Sequence, residues 1–453
     1  MSLSFALEPG FLHQVRGFPV PFTFKLKSRS RRSSFPIFAH FPNPKCNQEL
    51  LVVVGGGAAG IYGAIWAKTV APNLNVVVIE KAHPLSKVKV SGGGRCNVTN
   101  GHCPENKVMA EHYPRGNKEL KGSFFSMHSP LDTMSWFTDR GVKLKTESDG
   151  RVFPVSNSSS SIIDCLMTEA RKKGVSIQTG KTVTTASSSA ARKFSLKIDM
   201  RTSSTDLVEA DYLLIATGSS KQGYSLAGQL GHSIIDPVPS LFTFKVRDNN
   251  LAELSGVTFS KVKAKLKLEN SGRTVPQLTQ IGPMLVTHWG LSGPVILRLS
   301  AWSARELYSS SYKGILTLDF APDLHKGEVN AILLKQKKKF AKQKVVNSSP
   351  PEFNLVKRFW KYMLKREGLA EDISWASISS EALLSVASLL KQCSFEVAGK
   401  GQFKDEFVTA GGVPLSEILN IDGVTGGFNF QNAWTGGYIA GTSIGDLAAV
   451  RTP

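Results

Sequence analysis

Residues Leu50–Gly60 read LLVVVGGGAAG, and a second apolar run, VVVIEK, follows at Val76–Lys81. The first run is a short β-strand that stops at Gly55, Gly57 and Gly60, the spacing of a dinucleotide-binding fingerprint. Gly55 permits the tight strand-to-helix turn, Gly57 lets a pyrophosphate approach the backbone, and Gly60 lets the helix pack close to the strand. The helix opening at Ala58 and Ala59 presents unpaired N–H groups and a positive dipole end to phosphate. The second run ends in Glu80, placed to accept hydrogen bonds from a ribose 2′-OH, with Lys81 beside it. Strand, triplet, small-residue helix and terminal acid together point to a doubly wound α/β fold around a nucleotide.

Composition bounds the rest. A chain of 453 residues with 41% apolar content can build a large core and more than one domain. No apolar run is long enough to span a bilayer. Up to residue 46, seven basic residues (Arg16, Lys25, Lys27, Arg29, Arg31, Arg32, Lys45) face one acid, Glu8, among scattered Ser and Phe. That is the profile of a disordered organellar transit peptide, with a chloroplast favoured over a mitochondrion. A basic arm without targeting function is the alternative. The net charge of +20 raises the question of nucleic acid. Part of it lies in the leader, and KQKKKFAKQK at Lys335–Lys344 fits one solvated helix face. No aromatic-interleaved basic patch is visible, so nucleic acid is not the expected partner. The five cysteines (Cys46, Cys96, Cys103, Cys165, Cys393) are odd in number and contain no C-x-x-C, which argues against a disulfide framework, a zinc site or a redox dithiol.

The expected organisation is a leader at 1–46, a nucleotide-binding domain at 47–223, a β-rich insert at 224–395 and a return to the first domain at 396–453. Helices are expected over Pro130–Arg140 and Ser158–Lys173, and parallel strands at Val175–Thr179 and Asp211–Gly218. A small antiparallel element is expected over Lys181–Glu209. Strand-like runs at Leu241–Val246, Val262–Leu268 and Ile315–Phe320 mark the insert, and the helical periodicity of Lys326–Leu390 places a helical subdomain at about 322–392. The sheet is expected to resume near Phe407–Gly412.

Four further segments carry chemistry. In SGGGRCNVTN at Ser91–Asn100, Gly92, Gly93 and Gly94 can form an anion-binding nest to which Arg95 adds a guanidinium. Cys96 and Asn97 follow; packing is favoured over redox work for Cys96, since no partner thiol is near in sequence. Ala216, Thr217 and Gly218 end the DYLLIATG strand. In GVTGGFNFQNAWTGGYIAG at Gly423–Gly441, Thr425, Gly426, Gly427, Phe428, Asn429 and Gln431 precede or open a helix. Asn429 is its expected cap, and Ala433, Gly436, Gly437, Ala440 and Gly441 make a small-residue stripe. Asp422 stands just before this run. In THWGLSGP, His288 is a weak candidate for proton transfer against a structural turn reading.

Taken in order, VVVGGGAAG, VSGGGRCNVTN, IATG, THWGLSGP, TAGGV and DGVTGGFNFQNAWTGGYIAG resemble the BaiN / aminoacetone-oxidase-like family of FAD-binding flavoproteins, as a plant-type organellar member. The resemblance implies a Rossmann-type FAD domain interrupted by a β-barrel-like insert with a helical subdomain. It also implies bound FAD and oxidation or reduction of a small organic substrate by hydride transfer through the flavin. No second glycine fingerprint follows a strand and opens a helix, so no bound nicotinamide site is evident, and electrons are expected from a freely diffusing reductant such as NAD(P)H or from the substrate. Two departures stand out. Ser219–Gln222 is shorter than the usual family loop, and the stretch between Gly412 and Gly423 lacks a segment containing an apolar strand that ends in Ala-Gly-Glu. The alternative function is accordingly a flavin- or nucleotide-binding scaffold without turnover, a splice form with impaired FAD binding.

Overall fold

Five strands form the main sheet: β1 (Ser4–Ala6), β2 (Leu50–Val54), β3 (Asn75–Glu80), β4 (Ser176–Thr179) and β5 (Tyr212–Ile215), in the order β1-β5-β2-β3-β4. From β5 to β4 all neighbours are parallel, with Leu51 opposite Tyr212 and Val76. The Val-rich runs suit this, because a parallel sheet is covered on both faces and needs apolar side chains in both directions. Val52, Val53, Val77 and Val78 are each at 0% exposure, and each contributes about 1.5–3 kcal/mol of apolar burial. The computed structural model describes residues 4–6, 48–103, 105–189, 193–201, 204–268, 276–401, 408–414 and 421–451.

The chain divides into two units, Met1–Pro237 with Phe407–Pro453, and Val238–Glu406. In the first, α1 (Ala58–Val70) links β2 to β3, and α2 (Ser86–Gly94) follows β3. The Lys181–Ser188, Phe194–Met200 and Thr205–Ala210 strands form the expected antiparallel element. The second unit is a closed six-stranded barrel with helices. Its Thr258–Lys267 strand alternates strictly, with Val262, Ala264 and Leu266 inward and Lys263, Lys265 and Lys267 outward. Among the described residues five α-helices follow in that unit: Pro294–Trp302, Ala304–Ser309, α3 (Lys326–Lys339), Lys357–Arg366 and Ser380–Lys391.

Several expectations need correction. The insert runs over 238–406 and not 224–395: Lys221–Gln229 is a helix of the first unit, where Gln229 accepts from the Ala186 N–H at 2.9 Å, and Cys393–Lys400 is the strand that closes the barrel. Three barrel strands, Thr279–Thr287, Gly290–Ser292 and Cys393–Lys400, were not anticipated. Val408–Gly412 is a strand outside the parallel sheet; Gly411 and Gly412, at φ +120° and +115°, turn it aside. Ser4–Ala6, expected to be disordered, pairs antiparallel with β5, whose outer edge offers free hydrogen-bonding groups to any extended segment. The rest of the leader lies outside the described residues, as does most of the stretch before Asp422.

The last helix, α4 (Phe428–Arg451), lies directly on α1. A Cβ at Gly437 would sit 2.7 Å from the Ala59 carbonyl oxygen, one at Gly445 would sit 2.6 Å from Val70 Cβ, and one at Gly441 would overlap the Gly63 carbonyl. The small-residue stripe therefore brings two backbones into contact. Beside it His128, only 3% exposed, hydrogen-bonds the Tyr62 hydroxyl at 3.0 Å and stacks on Tyr438 with ring centroids 4.7 Å apart.

Gly441→Ala should cost about 1–3 kcal/mol, read as a lower thermal midpoint. Gly228→Ala, in a helix with open space around the added Cβ, should be neutral or stabilising by about 0.4–1 kcal/mol. Equal effects at the two sites would remove the backbone-contact account. Burial also pushes the His128 imidazole down to about 4 from 6.5. The unfolded chain then binds the extra proton first, so stability is full above the unfolded value and falls as pH drops from 6.5 towards 4. Chemical denaturation across that window should show the loss, and His128→Gln should flatten it.

Candidate functional site

The loop after β2 is held from two sides. Gly55, at φ +107°, donates to the Ile79 carbonyl at 2.9 Å, and a Cβ there would lie 2.5 Å from the Ala216 oxygen. Gly60 faces the Gly55 carbonyl with no room for a side chain. Gly57 differs: it caps α1 without a side-chain bond, and a Cβ placed on it meets nothing within 4 Å. Among the described residues, the N–H groups of Gly57, Ala58, Ala59 and Gly60 have no protein acceptor. Four free donors at a positive helix end, beside an open approach, make an anion cradle. The Glu80 carboxylate accepts from the Gly56 and Ala82 N–H groups, each at 2.8 Å, which fixes its orientation. Each oxygen keeps lone-pair capacity for a ribose hydroxyl.

The cradle stands where the strand order reverses, at the carboxyl ends of β2, β3 and β5, the usual ligand position in such sheets. Gly55, Glu80, Lys81 and Thr217 line a groove there together with Lys181 and Gln222. Sequence reasoning missed those last two, since nothing local marks them. Ala216 closes β5 by donating to the Val54 carbonyl at 2.8 Å, and Gly218 turns away at φ +63°. Lys87 of α2, also missed, donates to the Ser219 hydroxyl at 2.6 Å beside that turn.

Gly92, Gly93 and Gly94 adopt φ +57°, +70° and +83° in succession, a backbone that glycine alone takes without strain. Added Cβ atoms at Gly93 and Gly94 would meet nothing within 4 Å, so this turn also faces open space. Arg95 does not complete an anion site by itself: it pairs with Glu147 at 2.7 Å and lies 3.8 Å over the Phe153 ring. The Cys96 thiol is at 0% exposure and burial pushes its pKa up to about 12, so it packs as a neutral thiol. Asn97 lies between the Gly427 N–H and the Thr99 carbonyl, and its surroundings assign the amide with oxygen towards Gly427 at 2.9 Å and nitrogen towards Thr99 at 3.1 Å.

That bridge ties the second loop to the last motif. Gly426 and Gly427 have φ +135° and +96°, and a Cβ on Gly427 would strike the Thr99 backbone. Thr425 and Gly426 remain partly exposed. Asn429 is not the helix cap: it lies inside the first turn of α4, and its amide accepts from the Gly423 N–H at 2.9 Å and donates to the Gly423 carbonyl at 2.7 Å. Gln431 points into the interior. It is at 0% exposure, accepting from Thr99 and donating to the His128 carbonyl and Thr435. Phe428 is buried and stacks on His112. Asp422, at 0% exposure, takes a two-pronged ion pair from Arg115, a partner no local pattern could reveal. All four make contacts within the protein that support the loop. His288 belongs to the second unit, exposed in the turn where the Thr287 hydroxyl donates to the Gly290 carbonyl at 3.0 Å.

The donors and open glycines fit FAD: free N–H groups for a pyrophosphate, an oriented carboxylate for a ribose, and two further glycine turns. The chain is 26% identical over 427 residues to the 3-dehydro-bile acid delta(4,6)-reductase of Clostridium scindens, which covers 87% of this chain and 98% of that protein. It is 24% identical over 425 residues to the ribosomal RNA dihydrouridine synthase of Haemophilus influenzae, with coverages of 87% and 98%. Among solved structures, the 3-ketosteroid-delta4-(5alpha)-dehydrogenase of Rhodococcus jostii RHA1 aligns over 89% of this chain and 98% of its own at 13% identity and a TM-score of 0.46. The HI0933-like protein Rossmann domain matches residues 49–443, so the chain belongs to that family of flavoprotein oxidoreductases, with FAD as its cofactor.

Proposed function

We propose that this protein reduces a ring carbon–carbon double bond conjugated to a carbonyl, drawing two electrons from NAD(P)H. The product gains one hydride and one proton, and the nicotinamide is oxidised. The observation that carries the FAD dependence is the set of four unpaired N–H groups at Gly57–Gly60 beside the oriented Glu80 carboxylate. The reaction type is supported by two relatives of full length. One acts on a 3-dehydro bile acid and the other forms dihydrouridine in ribosomal RNA, and a steroid enone and a uracil share a C=C conjugated to C=O.

Within that reading, FAD accepts and delivers hydride when bound. Gly57–Gly60 hold the pyrophosphate, Glu80 takes the ribose, and the turns at Gly92–Gly94 and Thr425–Gly427 border the ring system. The ion pair of Asp422 with Arg115 keeps the last turn in place. Residues 1–46 direct the protein to the plastid, supported by their basic, Ser-rich composition.

Purified protein should absorb at about 450 nm, bleach anaerobically with NADPH and recover on adding an enone or uridine substrate. Bound flavin that NADPH never bleaches would favour the scaffold reading, which the interrupted segment before Asp422 motivates. Gly57→Val should leave the thermal midpoint of the apoprotein unchanged, because its Cβ meets open space, yet lower FAD occupancy at least tenfold. Unaltered occupancy would move the pyrophosphate elsewhere. A fluorescent protein carrying residues 1–46 should enter chloroplasts; cytosolic or mitochondrial signal would refute the plastid assignment.

A further inference from the structure

The second unit holds a cleft of about 230 Å³ between α3 and residues 348–352. Lys335, Gln336 and Lys339 line it from α3, and Ser348, Ser349 and Glu352 line it from the opposite wall. Both walls are pinned. Val329 and Leu333 bury the back of α3, and Lys337 turns inward to the Ile378 carbonyl at 2.6 Å. The Gln336 amide donates to the Ser348 carbonyl at 3.0 Å, and the Trp375 indole donates to the Ser348 hydroxyl at 2.7 Å. Lys335 and Lys339 are exposed and have no carboxylate within ion-pair distance among the described residues. At i,i+4 spacing on one helix they also repel each other. Glu352 is exposed and forms no ion pair among the described residues, so it leaves the two cations uncompensated.

The two serines differ. The Ser348 hydroxyl is committed, accepting from Trp375 and donating to the Lys344 carbonyl at 3.3 Å. Among the described residues the Ser349 hydroxyl has no hydrogen-bond partner, and its backbone N–H and carbonyl have none either. Ser349 is half-exposed and precedes Pro350, whose φ of −57° and ψ of 127° keep the chain extended. Another Ser-Pro pair, Ser129–Pro130, is unlike it: the Ser129 hydroxyl bonds the Asp132 carboxylate at 2.7 Å, which would repel a phosphate. Cations in the last turn of a helix suit its dipole, and that accounts for Lys339 as a charge. It does not account for an unbonded hydroxyl held across a preformed cleft from two uncompensated lysines. We propose that Ser349 is a phosphorylation site and that this cleft receives its phosphate, with Lys335 and Lys339 as the pairing cations. In the transfer the Ser349 Oγ attacks the γ-phosphorus of a nucleoside triphosphate held by a proline-directed serine kinase. The Oγ–P bond forms, the bond from phosphorus to the bridging oxygen breaks, the nucleoside diphosphate leaves, and the hydroxyl proton passes to the kinase. The new group brings about −1.5 to −2 charges and three acceptor oxygens, which tie α3 to the opposite wall.

The test uses the full FAD-loaded chain treated with such a kinase and ATP, and the same chain with phosphoserine genetically encoded at 349. Kinase treatment should add one phosphate to the peptide containing Ser349, read by mass spectrometry, and Ser349→Ala should abolish it. An unmodified Ser349 beside a fully modified standard substrate overturns the site. In phosphorus NMR titrations of the encoded chain, the second ionisation of the phosphate, ordinarily near about 6, should lie at least about half a pH unit lower, because the lysines favour the dianion. Lys335→Ala combined with Lys339→Ala should restore the ordinary value. The same change at Lys263 and Lys265, exposed on the barrel, should not. An ordinary value in the encoded chain, or equal restoration by both pairs, overturns the pairing. Amide exchange over residues 345–353 should slow several-fold on phosphorylation, and the Lys335/Lys339 double variant should lose that protection; equal slowing in the double variant overturns the tie between the walls. Inorganic phosphate added to the unmodified chain should not saturate the cleft. Saturation that the lysine pair controls and Ser349→Ala leaves unchanged would make the occupant a free phosphomonoester and overturn the Ser349 assignment.

Discussion

Everything at the nucleotide cradle depends on how closely α4 lies on α1. Because Gly437, Gly441 and Gly445 carry no side chain where they meet Ala59, Gly63 and Val70, the two helices approach backbone to backbone. That contact joins the two ends of a domain separated in sequence by the whole insert, Val238–Glu406. It sets the height of the Thr425–Gly427 turn over the sheet. A single methyl group at Gly441 would lift it by displacing the Gly63 carbonyl, and the glycine turns at Gly92–Gly94 and Thr425–Gly427 would lose their common frame. The stripe therefore acts on the site through position, by setting how closely the two helices approach.

The turns themselves are held by buried polar groups, which adds specificity at an energetic cost. Thr99, Gln431, Thr435 and the His128 carbonyl satisfy one another completely below the loop. Asp422 would be expensive to bury alone, and the Arg115 guanidinium compensates it with two parallel hydrogen bonds. Removing Arg115 would leave an uncompensated carboxylate in the interior, so the ion pair favours the arrangement in which Asp422 meets the guanidinium. Gly426 and Gly427, at φ +135° and +96°, follow directly on this anchor.

The sequence made some of this legible and hid the rest for identifiable reasons. Gly55–Gly60 and Glu80 follow local chemistry, since strand, turn and helix start lie within one short span. The small-residue stripe was visible as a periodicity, but its partner α1 was not. The amides of Asn429 and Gln431 read as ligand-capable groups beside a glycine turn, and the structure gives both of them protein partners. What distinguishes them is inward direction, which spacing alone does not encode. Arg115, Lys87, Lys181 and Gln222 reach the site across long sequence separations, and each looks like an ordinary surface residue in its own neighbourhood. The barrel strands Thr279–Thr287 and Cys393–Lys400 were missed where Gly282, Pro283 and Gly399 interrupt an otherwise apolar alternation.

The edge of the main sheet shows how far the cradle tolerates an irregular neighbour. β1 covers the outer side of β5 with only three residue pairs. β5 does not rely on it. Tyr212–Ile215 runs in full register with Leu51–Val54, the Leu50 N–H donates to Asp211 at 2.8 Å, and the Tyr212 hydroxyl donates to Glu49 at 2.8 Å. The Ala216 N–H then closes on Val54 at the point where the glycine loop begins. The strand that carries one wall of the groove is therefore anchored from the β2 side, the same side as the cradle. Loss of β1 exposes backbone groups on the far edge and leaves the geometry around Gly55 and Glu80 supported by the bonds that already define it.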